Sequence, residues 1–322
     1  MKFILGTLLA FSLCLPVFTG CQTAPTKPSE PPAKTKAQIE SEKKAFTETK
    51  AKAEQGDAKA QNGLGWNYHH GQGVKQDYSK AIEWYTKAVE QNEPFAQLNL
   101  GRMYRYGEGV EQDYKKAVEL ISKAAEQGYD RAQHNLGHMY SDGEGVEQDF
   151  EKALEWNRKA AAQNDPQAQH NIGSAYEKGN GVKLDYAKAL EWYHKAAEQG
   201  NAMGQNNLGR MYDKGEGVAQ DYKKATEWFR KAAEQGDAWG QYNLGNMYEK
   251  GDGVHKDSLA AYAWYTIAAR NLNTVTKENK PSAQAKAGKP RIAKEMTPEQ
   301  ITKAEALAKQ LQKEIEAKKS GK

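Results

Sequence analysis

Apolar and small residues return along this chain every 36 positions, and the polar residues between them keep the same beat. Six glycines, Gly65, Gly101, Gly137, Gly173, Gly209 and Gly245, mark that period without a slip. Aligned as 57-92, 93-128, 129-164, 165-200, 201-236 and 237-272, the units need no insertions and share invariant columns at Gln61, Tyr68, Gly71, Gly73, Val74, Asp77, Ala81 and Ala88. A fixed period of this size marks a stacked array. On a wheel of about 100° per residue with Leu64 as origin, positions 60, 61, 64, 65, 67 and 68 share one arc, while 59, 62, 66 and 69 lie opposite. The first arc reads as core; the second holds the columns that vary most between units.

Each unit reads as two helices. Pro94 and Pro166 follow acidic residues at the start of their units and fit the first helical position, where a missing N–H costs nothing. The paired glycines, Gly71 and Gly73 in the first unit, supply the positive φ that ends a helix and makes a tight turn. Asp77 and its equivalents Asp113, Asp149, Asp185, Asp221 and Asp257 then stand where a second helix needs its N-cap. That helix stops at Gln91-Asn92, Glu126-Gln127-Gly128 and their counterparts. Gly65, placed mid-helix at a cost of about 1 kcal/mol relative to Ala, points to close approach of a neighbouring backbone, with Ala81 and Ala88 as the matching shallow stripe. Tyr68, Trp84 and Tyr85 supply bulk around that contact. One such layer cannot bury its apolar face alone, so the units must stack.

These residues resemble the Sel-one-like repeat family, relatives of the tetratricopeptide repeat. The likeness rests on Ala96-Gln97 through Leu100-Gly101, Tyr104, Gly107, Gly109-Val110, Asp113-Tyr114, Lys116-Ala117 and Lys123-Ala124-Ala125, recurring over about two-thirds of the chain. It implies an all-α fold: a right-handed α-solenoid of six 36-residue helix-turn-helix repeats closed by capping helices. Leu120-Ile121 in the second unit and Ser258 in the sixth depart from the pattern locally.

The flanks carry different signals. Residues 1-20 have the shape of a lipoprotein signal peptide: Met1-Lys2, an apolar run from Phe3 to Leu15, and Phe18-Thr19-Gly20-Cys21, similar to a bacterial lipobox. That resemblance implies a lipidated Cys21, attachment to a membrane, and, with Gln22 following, an outer-membrane destination facing the periplasm. Cys14 would leave with the signal, so no disulfide is expected. Residues 21-40, with Pro25, Pro28, Pro31 and Pro32, read as a disordered tether, and 41-56 as an N-terminal capping helix with Ser41 at its N-cap. At the other end, 273-296 reads as a polar linker. Thr297-Pro298-Glu299-Gln300 opens a C-terminal capping helix with a basic tail over 297-322, its apolar stripe formed by Leu307, Leu311 and Ile315.

Charge adds one correction to the whole-chain figure of +4. Residues 51-272 hold 27 Lys+Arg against 32 Asp+Glu, net −5, whereas 273-322 hold 12 against 6, net +6. The positive balance belongs to the tail, where it solubilises, and no nucleic-acid partner is expected.

The freely varying columns are the candidate binding residues. The family resemblance places the first helices on a concave surface, so Trp66, Phe95, Leu98, Arg102, Arg105, His134, His138, His170, Arg210, Trp239 and Tyr242 are expected to line a groove for a protein or peptide. Trp, Tyr and Arg are common anchors of such contacts. His134 and His138, four apart, with His170 one unit on, lack the Glu of an H-E-x-x-H motif and would stand about 10 Å apart between stacked units, so no metal or other cofactor is expected. Ser41-Glu42-Lys43-Lys44 has a Ser-x-x-Lys spacing but no Lys-Thr-Gly accompanies it. The sequence therefore points to a non-enzymatic envelope scaffold or adaptor; an immunity-type inhibitor of a secreted toxin and a cell-wall or β-lactam hydrolase are the alternatives.

Overall fold

The computed structural model describes residues 35–270 and 281–320, and every regular element among them is a helix. Cys21, the signal segment, the tether as far as residue 34, residues 271–272 of the sixth unit and 273–280 of the expected linker lie outside the described residues. A first helix, α1 (Lys36–Glu54), precedes six antiparallel pairs: α2 (Ala58–His70) with α3 (Tyr78–Glu90), α4 (Pro94–Tyr106) with α5 (Tyr114–Glu126), and α6 (Asp130–Asp142) with α7 (Phe150–Ala162). The remaining pairs are α8 (Pro166–Lys178) with α9 (Tyr186–Glu198), α10 (Ala202–Lys214) with α11 (Tyr222–Glu234), and α12 (Ala238–Lys250) with α13 (Ser258–Arg270). Each helix packs on the next along the chain, the arrangement of an α-solenoid. Two further helices, α14 (Pro281–Ala293) and α15 (Pro298–Ser320), pack on α13.

Helix ends follow from single residues. The Asp77 carboxylate accepts from the Lys80 backbone N–H at 3.0 Å, and Asp113, Asp149, Asp185, Asp221 and Asp257 cap their helices in the same way. Each cap of this kind stabilises its helix by about 0.5–2 kcal/mol. First helices end on a left-handed glycine, as at Gly71 with φ 67°. The second helices of the first five units stop at Gly or Asn in the same conformation, Asn92 and Asn164 being the two non-glycine cases among the described residues.

Packing corrects the role expected of Gly65. A Cβ added there would meet not a neighbouring backbone but the ring of Tyr85, at 2.6 Å, on the second helix of the same unit. Gly173, Gly209 and Gly245 seat Tyr193, Phe229 and Tyr265 likewise, so this glycine is a socket for a ring. Close backbone approach occurs instead at the second glycine of the turn. A Cβ on Gly181 would lie 2.6 Å from the Phe150 carbonyl carbon, at the start of the preceding unit's second helix.

The invariant glutamines are buried and fully engaged. Gln133 donates to the Ala125 carbonyl of the preceding unit at 3.1 Å and accepts from Gln163 of its own unit at 3.0 Å. Gln61, Gln97, Gln169 and Gln205 accept in the same way from Gln91, Gln127, Gln199 and Gln235. Where the left-handed residue ahead is Asn, its side chain replaces the carbonyl: Gln97 donates to Asn92 and Gln169 to Asn164. A buried amide left without partners would cost about 1–3 kcal/mol, which explains why the column admits only Gln.

The ends differ from expectation in two places. The N-terminal helix starts at Lys36, not at Ser41, because Thr35 and Gln38 form a reciprocal capping box upstream. Ser41 is therefore an exposed residue within α1, and residues 36–40 of the expected tether are helical. The expected linker contains α14: Lys286 faces outward and Lys289 lies over the Tyr262 ring, while Ala285 and Ile292 are buried and Gly288 sits against the Tyr265 ring. The C-terminal helix opens as its residues imply, with Thr297 and Gln300 capping each other, and Leu307, Leu311 and Ile315 pack against the sixth unit.

Candidate partner-binding groove

The variable face of the first helices contains two cavities. The first, of about 710 Å³, is lined by residues of α2, α4, α6 and α8, among them Trp66, Phe95, Arg102 and His134. Trp66 is 38% exposed and stacks on His70 with ring centroids 4.4 Å apart; Phe95 is 45% exposed and lies 4.4 Å from Tyr129. Each exposed ring is thus held in place by a neighbour before any partner arrives. Arg102 lines the same cavity, exposed and without an ion pair to any described residue. The second cavity, of about 400 Å³, is lined by His170, Arg210 and Trp239 together with Glu177, Met203 and Asp237.

Four of the expected groove residues stand differently. Leu98 is only 5% exposed and packs with Ile121 and Leu136 in the core, so it forms floor rather than an anchor. Arg105 is also 5% exposed; its Nε donates to Glu144 at 2.6 Å and its other nitrogen reaches His138 Nδ1 at 3.0 Å. Its charge is consumed by the next unit. His138 does not line either of these cavities but stands beside Asp142 on a smaller one of about 140 Å³, lined also by Asn157, where four other units carry a ring and the second carries Ile121. Tyr242 packs on Tyr265, with centroids 5.8 Å apart, and holds Trp239 edge-on at 6.1 Å.

His134 and His170 are neutral polar groups of this face. Burial pulls His134 below the usual histidine range, with His138 and Arg105 adding to the effect and Asp165 opposing it. Burial drives His170 further, down to about 4. Its Nδ1 faces the Asn171 oxygen at 3.3 Å and its Nε2 faces the Asn207 amide at 3.0 Å, which places the proton on Nδ1. Among the described residues no group of three His, Cys, Asp or Glu is placed to hold a metal. Asp237, capping α12 at the edge of the second cavity, is pushed up to about 6 by burial.

One functional column went unread in the sequence. Asn99, Asn207 and Asn243 each donate to a variable-column residue of the preceding unit: Asn62, His170 and Asn206, at 3.0, 3.0 and 2.9 Å. The signal was present, since Asn occupies that position in five of the six units. These bonds tie the variable face together across three of the five unit boundaries; at the other two, Asn135 donates to the Arg131 carbonyl and Asn171 to Asn157.

Comparison with known proteins gives a consistent picture. The family model described as Sel1 repeat matches six times, at residues 58–93, 94–129, 130–165, 166–201, 202–237 and 240–271. The chain is similar to a solved Sel1 repeat protein from Oxalobacter formigenes, at 32% identity over 76% of this chain and 96% of that one, with a TM-score of 0.68. It is also similar to a protective antigen of uropathogenic Escherichia coli with an SLR fold, at 28% identity over 85% and 80%, TM-score 0.44. An immunity protein from Pseudomonas aeruginosa matches at 23% identity over 66% and 74%, TM-score 0.40. No curated protein matches the chain.

Proposed function

The chain belongs to the Sel1 repeat family, a scaffold suited to protein–protein interaction, and on that premise we propose that it is a non-enzymatic scaffold or adaptor, held at a bacterial envelope by lipid on Cys21, that binds a protein or peptide across its first helices. One observation carries the binding site: Trp66 and Phe95, both exposed, share the larger cavity with Arg102, which has no ion pair to any described residue. Aromatic rings fixed by neighbours lose little freedom on binding, and an arginine in the same cavity supplies direction. The second cavity extends the surface toward Trp239.

Co-purification from envelope extracts tests this reading. The doubly substituted Trp66→Ala, Phe95→Ala protein should recover at least about tenfold less partner than the native chain while keeping its helical content. Equal recovery by a folded double variant removes the site. A secreted toxin as the recovered partner would identify the inhibitor use. For the anchor, Cys21→Ser should move the protein from the membrane to the soluble fraction; retention on membranes would exclude lipid at that residue as the tether.

A further inference from the structure

Two tyrosines of the array hold a carboxylate in the same manner. The Tyr193 hydroxyl donates to one oxygen of Glu177 at 2.6 Å, and Arg210, on the first helix of the following unit, pairs with the other oxygen. The Tyr265 hydroxyl donates to Glu249 at 2.5 Å, and Arg291 of α14 grips both oxygens of that carboxylate at 2.7 and 2.6 Å. In both cases the acid lies 16 residues before the tyrosine, and the arginine reaches in from the next element.

The first unit repeats this plan with the acid exchanged. Tyr85 occupies the position of Tyr193, and Arg102 the position of Arg210, but His69 stands where the glutamate would be. The consequences are visible on both remaining members. Tyr85 is fully buried and its hydroxyl has no hydrogen-bond partner among the described residues. A buried hydroxyl in that condition destabilises the fold, because it has given up water without gaining a partner. Arg102 is exposed and makes no ion pair to any described residue. His69 itself turns toward Glu108, with Nε2 2.9 Å from the carboxylate, and its ring meets the Tyr85 ring edge-on, centroids 6.3 Å apart. His69, Arg102, Trp66 and Phe95 all line the larger cavity.

We propose that Tyr85 and Arg102 form a carboxylate seat on the plan of Tyr193–Glu177–Arg210, and that the acid is supplied by a glutamate side chain of the bound partner. The partner segment is therefore acidic at this point, with an adjoining apolar or aromatic residue lying against Trp66 and Phe95. Arg102 meets the acid first; the His69 ring then turns aside and lets the buried hydroxyl donate to the second oxygen. Arginine to carboxylate is the stronger contact, and the tyrosine adds orientation. The assignment rests on the partner-binding reading above and narrows it to one chemistry.

The probe is N-acetyl-glutamyl-phenylalanine amide titrated into the full-length protein, with N-acetyl-glutaminyl-phenylalanine amide as its uncharged match. The Arg102 Nε–H and Tyr85 ring resonances should shift saturably with the glutamyl peptide and at least tenfold more weakly with the glutaminyl one. Arg102→Gln should lower the affinity by a similar factor. His69→Glu is the decisive variant: it restores the acid within the chain, so it should raise the melting temperature and abolish the response. Equal binding of the two peptides, native-like binding by His69→Glu, or no response to the glutamyl peptide overturns the seat. Tighter binding of a glutaminyl-phenylalanine with a free C-terminal carboxylate would also overturn it, by assigning the seat to a chain end. If the seat fails while Trp66→Ala, Phe95→Ala still loses the cellular partner, the groove stands without it.

Discussion

The ring of Tyr85 occupies the space that a Cβ on Gly65 would need, 2.6 Å from where that carbon would lie. Gly65→Ala should therefore destabilise the array by about 1–3 kcal/mol through overpacking, outweighing the gain of roughly 1 kcal/mol in helix propensity. Gly63, in the same helix, is the control: its added Cβ would touch only a Thr49 methyl at 3.4 Å. Gly63→Ala should be neutral or stabilising, and urea denaturation of the pair measures both. Equal effects of the two substitutions would refute the ring-socket account.

The glutamine bonds give a second test. Gln133→Leu removes the donor to the Ala125 carbonyl and the acceptor of Gln163, which keeps its bond to the Gly128 carbonyl, so the buried loss should cost about 1–3 kcal/mol. Gln163→Ala, at an exposed position, should cost less because water replaces the lost partner. Hydrogen exchange should report the Gln133→Leu loss in the third unit and its neighbours rather than throughout the chain.

Neighbouring residues of one face should separate stability from binding. Leu98→Ala empties a core position and should lower stability by about 2–5 kcal/mol. Phe95→Ala removes a ring that is 45% exposed, so it should leave the melting temperature within a few degrees while weakening partner capture. A reversal of these two outcomes would mean that the floor and the anchor have been exchanged.

His170 predicts a pH dependence of defined sign. Its folded pKa, pulled down to about 4 by burial, lies below the unfolded value near 6.5, so the unfolded chain binds more protons in between. The native state keeps this contribution above pH 6.5 and loses it as pH falls toward 4. A His170→Asn variant lacks the effect, so the stability of the native chain relative to it should fall by about 3 kcal/mol across that window. Parallel denaturation curves of the two proteins throughout the window would refute the burial of a neutral imidazole.

The helix pairs were legible because each boundary depends on a local residue: Asp77 caps, Gly71 stops, Pro94 starts. The wheel also separated the core arc from the variable face. It did not foresee that Leu98 and Arg105 would be covered, because a wheel describes one helix, and these side chains are buried by contacts from neighbouring elements. The Tyr–Glu–Arg arrangement joins residues 16 and 33 positions apart, beyond the reach of any single-helix pattern. Helix α14 escaped notice for a different reason. Its composition is lysine-rich and polar, and the face that packs joins Ala285 and Gly288, which carry little hydropathy signal, to the single large apolar residue Ile292.

The bonds between glutamines link positions 30 apart within one unit, and those between asparagines and the variable column reach back 37 into the unit before. Among the described residues, five of the 36-residue stretches thus carry a complete internal latch, and three of the five boundaries carry a latch shared between neighbours. Gene duplication or recombination that adds or deletes a whole stretch would leave each latch with its counterpart. The length of the array, and with it the span of partner it can reach, can change by copying alone, without inventing a new joint.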